Sequence, residues 1–264
     1  MSGLPVFEKL KNIRDLGGME SSDGRKVRYG KLIRSSHLAD LTAAEAERLS
    51  ELVGVIVDFR TVGECRQQPD VVPASVRYIH LPVVDSLKPG ITREEESDFQ
   101  ATMHLAKDPE GARQYMCGMY RSFADSETAV RQYEAFVRLL LEDREKAVLW
   151  HCTAGKDRAG VACVIVGEIL RIPRETIVRD YLKTNEYLKG EVAFLTEYIK
   201  SQVKTDSALN EESIQYLFGA RQEYIETYYE QIRKNYGGFH RFLADALHLS
   251  SQDMETFQQI YLRQ

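Results

Sequence analysis

The chain has 264 residues, 35 basic against 40 acidic side chains and a formal net charge of −5, with 43% hydrophobic residues. That suffices for a buried core, and the acidic balance excludes a general attraction to polyanions, so nucleic acid is not an expected partner and any anion site must be local. No stretch approaches the ~18 apolar residues of a membrane span, and the N-terminus MSGLPVFEKLKNIRDLGG lacks a signal-peptide apolar core, which predicts a cytoplasmic protein without an integral membrane segment.

In chain order, the first half reads as mixed α/β. Asp23-Gly24 and Tyr29-Gly30 break the chain between short candidate strands. Thr42 is expected to cap an amphipathic helix through Leu52, followed by a strand, Val53 to Phe59, buried on both faces. Tyr78 to Val84 reads as a further strand, ended by Pro82 and leading into a loop with Asp85. From Thr92 to about Leu141 the chain is charged and helix-prone. Glu94, Glu95 and Glu96 open one helix there, and the spacing of Tyr133, Phe136, Val137 and Leu140 marks another. These helices are expected to cover a site, while the aromatic and methionine positions from Phe99 to Phe123 have the spacing of plain core. Ala147 to Trp150 is the next buried strand. It runs into His151-Cys152-Thr153-Ala154-Gly155-Lys156-Asp157-Arg158-Ala159-Gly160, and an apolar helix follows from Val161 to about Leu170. Beyond Pro173 the chain reads as consecutive amphipathic helices broken at Gly237-Gly238.

Cys152 and Arg158 frame a Cys-x5-Arg loop between a strand and a helix. Backbone N–H groups and the helix N-terminus can converge there on one tetrahedral anion, and such surroundings favour thiolate over thiol. Cys152 is therefore the candidate nucleophile. Arg158 is the candidate clamp, because a planar fork of donors can hold two equatorial phosphate oxygens. Thr153, Ala154, Gly155, Lys156 and Asp157 would complete the cradle, with His151 in support. Gly155 keeps the turn free of a crowding side chain, and Gly160 allows close packing of the helix start. The other cysteines, Cys65, Cys117 and Cys163, show no metal-ligand or disulfide spacing.

HCTAGKDRAG resembles the His-Cys-x5-Arg signature of the protein tyrosine phosphatase superfamily, and Gly155-Lys156-Asp157-Arg158 narrows the likeness to bacterial atypical tyrosine and phosphoinositide phosphatases. Asn12 to Gly18, Arg34-Ser35-Ser36, Asp58-Phe59-Arg60-Thr61 with Glu64, and Asp180 to Asn185 are similar to further segments of that family. The resemblance implies the tyrosine phosphatase fold, α/β with a central mixed sheet flanked by helices, in a single domain over 1–264. A helical lid-like insertion at about 92–141 and a helical C-terminal part over 173–264 belong to it. It also implies hydrolysis of phosphotyrosine, with dual specificity and phosphoinositides as extensions, peripheral contact with a membrane in the latter case, and no metal or organic cofactor. In the family's terms Lys156 is the lysine associated with phosphoinositide binding, its alternative being a solvated loop lysine. Asp85 is the general acid, with Asp157 its rival; Asp157 could instead hold Arg14, Arg60 or a loop amide. Asp15 and Arg60 fall to structural duties. Ala159 departs from the family's pattern, since a serine or threonine usually stabilises the departing thiolate there. Beside a phosphatase stand two other readings, a weakly catalytic phosphate-binding module and an arsenate reductase or sulfurtransferase using the same cysteine.

Overall fold

The computed structural model describes residues 4–84, 96–142, 145–202 and 209–264. Among them the N-terminal portion supplies β1 (Arg14–Asp15), β2 (Lys26–Val27), β3 (Leu32–Ser35), α1 (Ala43–Leu52), β4 (Val53–Asp58), α2 (Val62–Gln67) and β5 (Arg77–His80). Three helices, α3 (Glu96–Leu105), α4 (Pro109–Asp125) and α5 (Glu127–Leu140), precede β6 (Ala147–His151) and α6 (Arg158–Ile169). The C-terminal portion holds α7 (Arg174–Leu182), α8 (Thr184–Tyr187), α9 (Lys189–Gln202), α10 (Glu211–Phe218) and α11 (Gln222–Tyr236). It closes with α12 (Phe239–Arg241), a π-helical turn over Phe242–Ala246, α13 (Ser251–Tyr261) and β7 (Leu262–Arg263).

The main sheet has the order β1-β3-β6-β4-β5, parallel throughout except for β1, which makes it mixed. A separate antiparallel pair, β2 with β7, ties the early chain to its end. In β6 the period-two alternation of a strand sends Val148 and Trp150 into a large core shared with α4, α5, α6 and α11, and Ala147 and Leu149 into a smaller one with Phe7, Leu10 and Leu49. Burial on both faces is why the strand reads as an unbroken apolar run. The helix signals are local: Thr42 with Glu45, and Thr61 with Glu64, form complete capping boxes. Gly237, at φ 78°, ends α11 in the left-handed conformation, at the expected break.

Three expectations need adjustment. β5 stops at His80, short of Pro82, which cannot donate to the ladder. α6 begins at Arg158 rather than Val161, which puts the arginine on a rigid first turn. Within the expected covering segment, α4 and α5 are core helices: Met116, Tyr120, Phe123, Tyr133 and Phe136 are fully buried, and α4 packs on α10 and α11. Of the described helices in that segment it is α3, through Thr102, that borders the cavity beside the Cys-x5-Arg loop.

Candidate active site

Cys152 to Asp157 form the bend between β6 and α6. Its carbonyls are fastened to the surrounding scaffold one after another. The His37 amide donates to the Thr153 carbonyl at 3.0 Å and Asn12 Nδ2 to that of Ala154 at 2.9 Å. Arg34 donates to the carbonyl of Gly155 at 2.6 Å and, more weakly, to that of Lys156 at 3.4 Å. A trans peptide holds N–H opposite C=O, so anchoring these carbonyls outward turns the amides of Ala154, Gly155, Lys156 and Asp157 to the other side of the bend. Together with the α6 N-terminus this is a donor-rich bend suited to an anion. Gly155 lies at φ 67°, and a Cβ there would come within 2.2 Å of the Ser35 carbonyl oxygen. The crowding it avoids is thus with the end of β3. Gly160 acts as expected, since a Cβ would meet the Tyr181 ring at 3.1 Å.

The anchors are themselves held. Asp180 accepts from Arg14 at 3.1 Å and from Arg34 at 3.2 Å, so the segments around Asn12, Arg34 and Asp180 converge under one loop. Asp15 accepts from the amides of Gly17 and Gly30, both at 2.8 Å, a structural duty.

Cys152 is 2% exposed and Arg158 1%. The guanidinium makes a two-pronged pair with Glu64 of α2, NH1 to Oε2 at 2.6 Å and NH2 to Oε1 at 2.9 Å. Glu64 also accepts from the Thr153 hydroxyl and, at 2.8 Å, from the Thr61 amide. Burial alone would raise the Glu64 pKa, but the charge of Arg158 and these donors hold it below the usual carboxylate range. The Arg158 Nε is buried and has no hydrogen-bond partner among the described residues. Sequence reasoning cites Glu64 only within a family-like segment. Its capping-box spacing is legible, but its use as the arginine's partner is not.

Lys156 is neither solvated nor spare. It is 3% exposed, and its Nζ donates to the carbonyls of Leu217 at 2.9 Å and Gly219 at 3.2 Å, at the end of α10 where such groups lack helical partners. Burial pushes its pKa down. Asp157 stands at the N-cap position of α6 yet makes no capping bond. Its Oδ1 accepts instead from the Tyr120 hydroxyl at 2.7 Å. Arg14 and Arg60 are not its partners, since they pair with Asp180 and with Asp58 and Asp70. His151 is fully buried, with Nε2 3.1 Å from Asp70 Oδ2 and Nδ1 3.1 Å from the Cys152 carbonyl. Burial disfavours its charge, but Asp58 and Asp70 outweigh that and raise its pKa. Asp58, Asp70 and His151 could group around a cation, yet Arg60 already reaches both carboxylates, at 2.8 and 2.7 Å. Asp85 lies outside the described residues.

Beside the loop opens a cavity of about 600 Å³ bordered by Thr153, Ala154, Lys156 and Asp157. Its opposite wall is apolar, with Val192, Leu195 and Ile199 from α9 and Leu217 and Phe218 from α10. Glu8, Lys9 and Lys11 of the N-terminal segment form part of the rim.

A sheet whose central strand delivers a cysteine into a donor-rich, arginine-closed bend defines the class, and the chain belongs to the tyrosine phosphatase family, whose family model matches residues 5–263. Among similar proteins, "Triple specificity protein phosphatase PtpB" of Mycobacterium tuberculosis is 29% identical over 89% of this chain and 91% of its own length. A Cupriavidus necator protein named as a candidate tyrosine-protein phosphatase is 32% identical over 69% of this chain, and a Nostoc commune "Tyrosine-protein phosphatase" is 28% identical over 60%. The matched parts span 63% and 50% of the lengths of those two relatives. Among the described residues no helix is long and apolar enough to cross a membrane.

Proposed function

We propose that this chain hydrolyses phosphate monoesters through a cysteinyl-phosphate intermediate, acting first on phosphotyrosine in proteins. The observation that carries the reading is the pairing of Cys152, at the foot of a loop with outward-anchored carbonyls, with Arg158, whose fork is held by Glu64 while its Nε has no hydrogen-bond partner among the described residues. The Cys152 thiolate attacks phosphorus as the ester P–O bond breaks, and the leaving oxygen takes a proton from a carboxylic acid beside the loop. Water then cleaves the S–P bond, giving its proton to the same carboxylate and releasing phosphate and thiolate. Neither step calls for a metal or an organic cofactor.

For that carboxylate we propose Asp157, which borders the cavity within the loop; Asp85, the acid implied by the family resemblance, lies outside the described residues. The name of the M. tuberculosis relative, a triple specificity protein phosphatase, supports a specificity broader than phosphotyrosine, and we propose phosphoserine, phosphothreonine and phosphoinositides as the further substrates. Lys156 lends the phosphoinositide reading little weight while its ammonium is engaged with α10. An arsenate reductase would need an exchanging thiol besides Cys152. Burial pushes Cys65 up to about 12, Cys163 up to about 11 and Cys117 upward, which makes each a poor nucleophile.

Phosphate release without added metal is the test. The substrates are phosphotyrosine and phosphoserine peptides and phosphoinositide vesicles, and the enzymes are wild type, Cys152→Ser, Asp157→Asn and Asp85→Asn. Release from the phosphotyrosine peptide that Cys152→Ser abolishes is expected, and the more damaging aspartate variant identifies the acid. No release from any substrate would leave a phosphate-binding module.

A further inference from the structure

Two tyrosines that the reaction scheme does not use lie directly behind the loop. Tyr120 of α4 and Tyr181 of α7 are fully buried, with their hydroxyl oxygens 2.7 Å apart. The Tyr120 hydroxyl is also 2.7 Å from Asp157 Oδ1. A hydroxyl has one proton, and an ionised carboxylate only accepts. Tyr120 must therefore spend its proton on Asp157, and Tyr181 must donate its own to Tyr120. The chain runs Tyr181 to Tyr120 to Asp157, and aligned donors of this kind strengthen one another. On the same carboxylate oxygen, Lys156 Nζ stands 3.7 Å away. Burial, and then the charge of Asp157, hold the Tyr120 phenol well above its ordinary pKa, so it stays a donor.

We infer that Tyr120, backed by Tyr181, is a positioning residue for the acid-base carboxylate of Asp157. The inference rests on the assignment of Asp157 proposed above. With Oδ1 occupied as an acceptor, the proton to be transferred sits on Oδ2. As that proton moves to the leaving oxygen and the P–O bond breaks, negative charge develops on Asp157, and the bond from Tyr120 changes from neutral to charge-assisted, about twice as strong. When water attacks the S–P bond, the same contact keeps the carboxylate oriented to take the water's proton. A group acting in this way affects proton delivery to a poor leaving group, not phosphate binding.

The experiment measures kcat and KM on phenyl phosphate, whose leaving oxygen needs a proton, and on 4-nitrophenyl phosphate, whose leaving group departs readily without one. Wild type is compared with Asp157→Asn, Tyr120→Phe and Tyr181→Phe, and with Tyr228→Phe as control. Tyr228 is also buried, but its hydroxyl has no hydrogen-bond partner among the described residues. Tyr120→Phe is expected to lose about tenfold in kcat on phenyl phosphate, the scale of one hydrogen bond to a charged group, with KM and the nitrophenyl rate within about twofold. Tyr181→Phe should lose less, in the same pattern, and Tyr228→Phe nothing. Asp157→Asn showing the ester-dependent loss while Tyr120→Phe does not would overturn the inference and leave the acid assignment standing. Equal losses on both esters for Tyr120→Phe would also overturn it, as a purely structural effect. No ester dependence in Asp157→Asn would overturn both. If Tyr120→Phe does not fold, Tyr181→Phe decides by the same pattern.

Discussion

Ala159, next to the proposed clamp Arg158, brings a methyl group where the family resemblance implies a hydroxyl that would donate to the Cys152 sulfur. It is fully buried, and its carbonyl accepts from the Trp150 indole at 3.2 Å, so the backbone around it is fixed. A hydrogen bond to a charged group is worth ~1.5–3 kcal/mol, and the missing one should slow breakdown of a phosphoenzyme by roughly ten- to a hundredfold. Wild type should therefore give a product burst in stopped flow, and Ala159→Ser, the smallest variant carrying the hydroxyl, a smaller burst with faster steady turnover. Equal bursts would mean that the thiolate is stabilised by other groups. Gly155 is the opposite case, a position where the backbone admits no side chain at all.

The capping boxes of α1 and α2 do more than start helices. Glu45 of α1 accepts from the Lys9 and Glu8 amides at 3.0 and 2.7 Å, and from the Thr42 amide at 3.2 Å. It thereby pins the N-terminal segment that reaches the cavity rim. The Lys9 amide and then the other donors lower its pKa from 4.5 to about 2. A depressed folded-state pKa means stability present above about 4.5 and lost as pH falls towards 2. Glu45→Gln should unfold at lower denaturant than wild type at pH 7, by about 1 kcal/mol, with the gap closing at acid pH. A gap independent of pH would place the effect in packing instead. Glu64 repeats the device on α2, capping its helix at Thr61 while gripping Arg158.

Across the whole molecule, Asp180 joins β1, β3 and α7 to the Cys152–Arg158 loop through Arg14 and Arg34. Removing one partner from a buried charge cluster costs about 3–5 kcal/mol, a large part of the ~5–15 kcal/mol that holds a domain folded. Asp180→Asn should lower the unfolding free energy by that order and weaken phosphate binding, because Arg34 carries the Gly155 carbonyl. Chemical denaturation followed with and without phosphate reads both effects. A loss under about 1 kcal/mol would show that the two arginines find other acceptors. The apolar wall from α9 and α10 belongs to this scale too, since it meets the loop where Lys156 bonds to the end of α10.

The sequence by itself determined what is local. The unbroken apolar run of β6, the Cys-x5-Arg spacing and the Thr42 cap are all contained within a few residues, so hydrogen-bonding rules and side-chain period suffice to read them. Tertiary structure decided the pairings. Glu64 and Arg158 stand 94 residues apart, Tyr120 and Asp157 37, and Lys156 and Leu217 61. The helical period of α4 and α5 says that one face is buried but not against what, which is why only the structure shows that α4 packs on α5, α10 and α11 in the core while α3 borders the cavity. Periodicity reports how deeply a residue sits, whereas topology chooses its neighbours. The loop was therefore legible from the chain, while the partners of Arg158, Lys156 and Asp157 became visible only once the sheet and the C-terminal helices had closed around it.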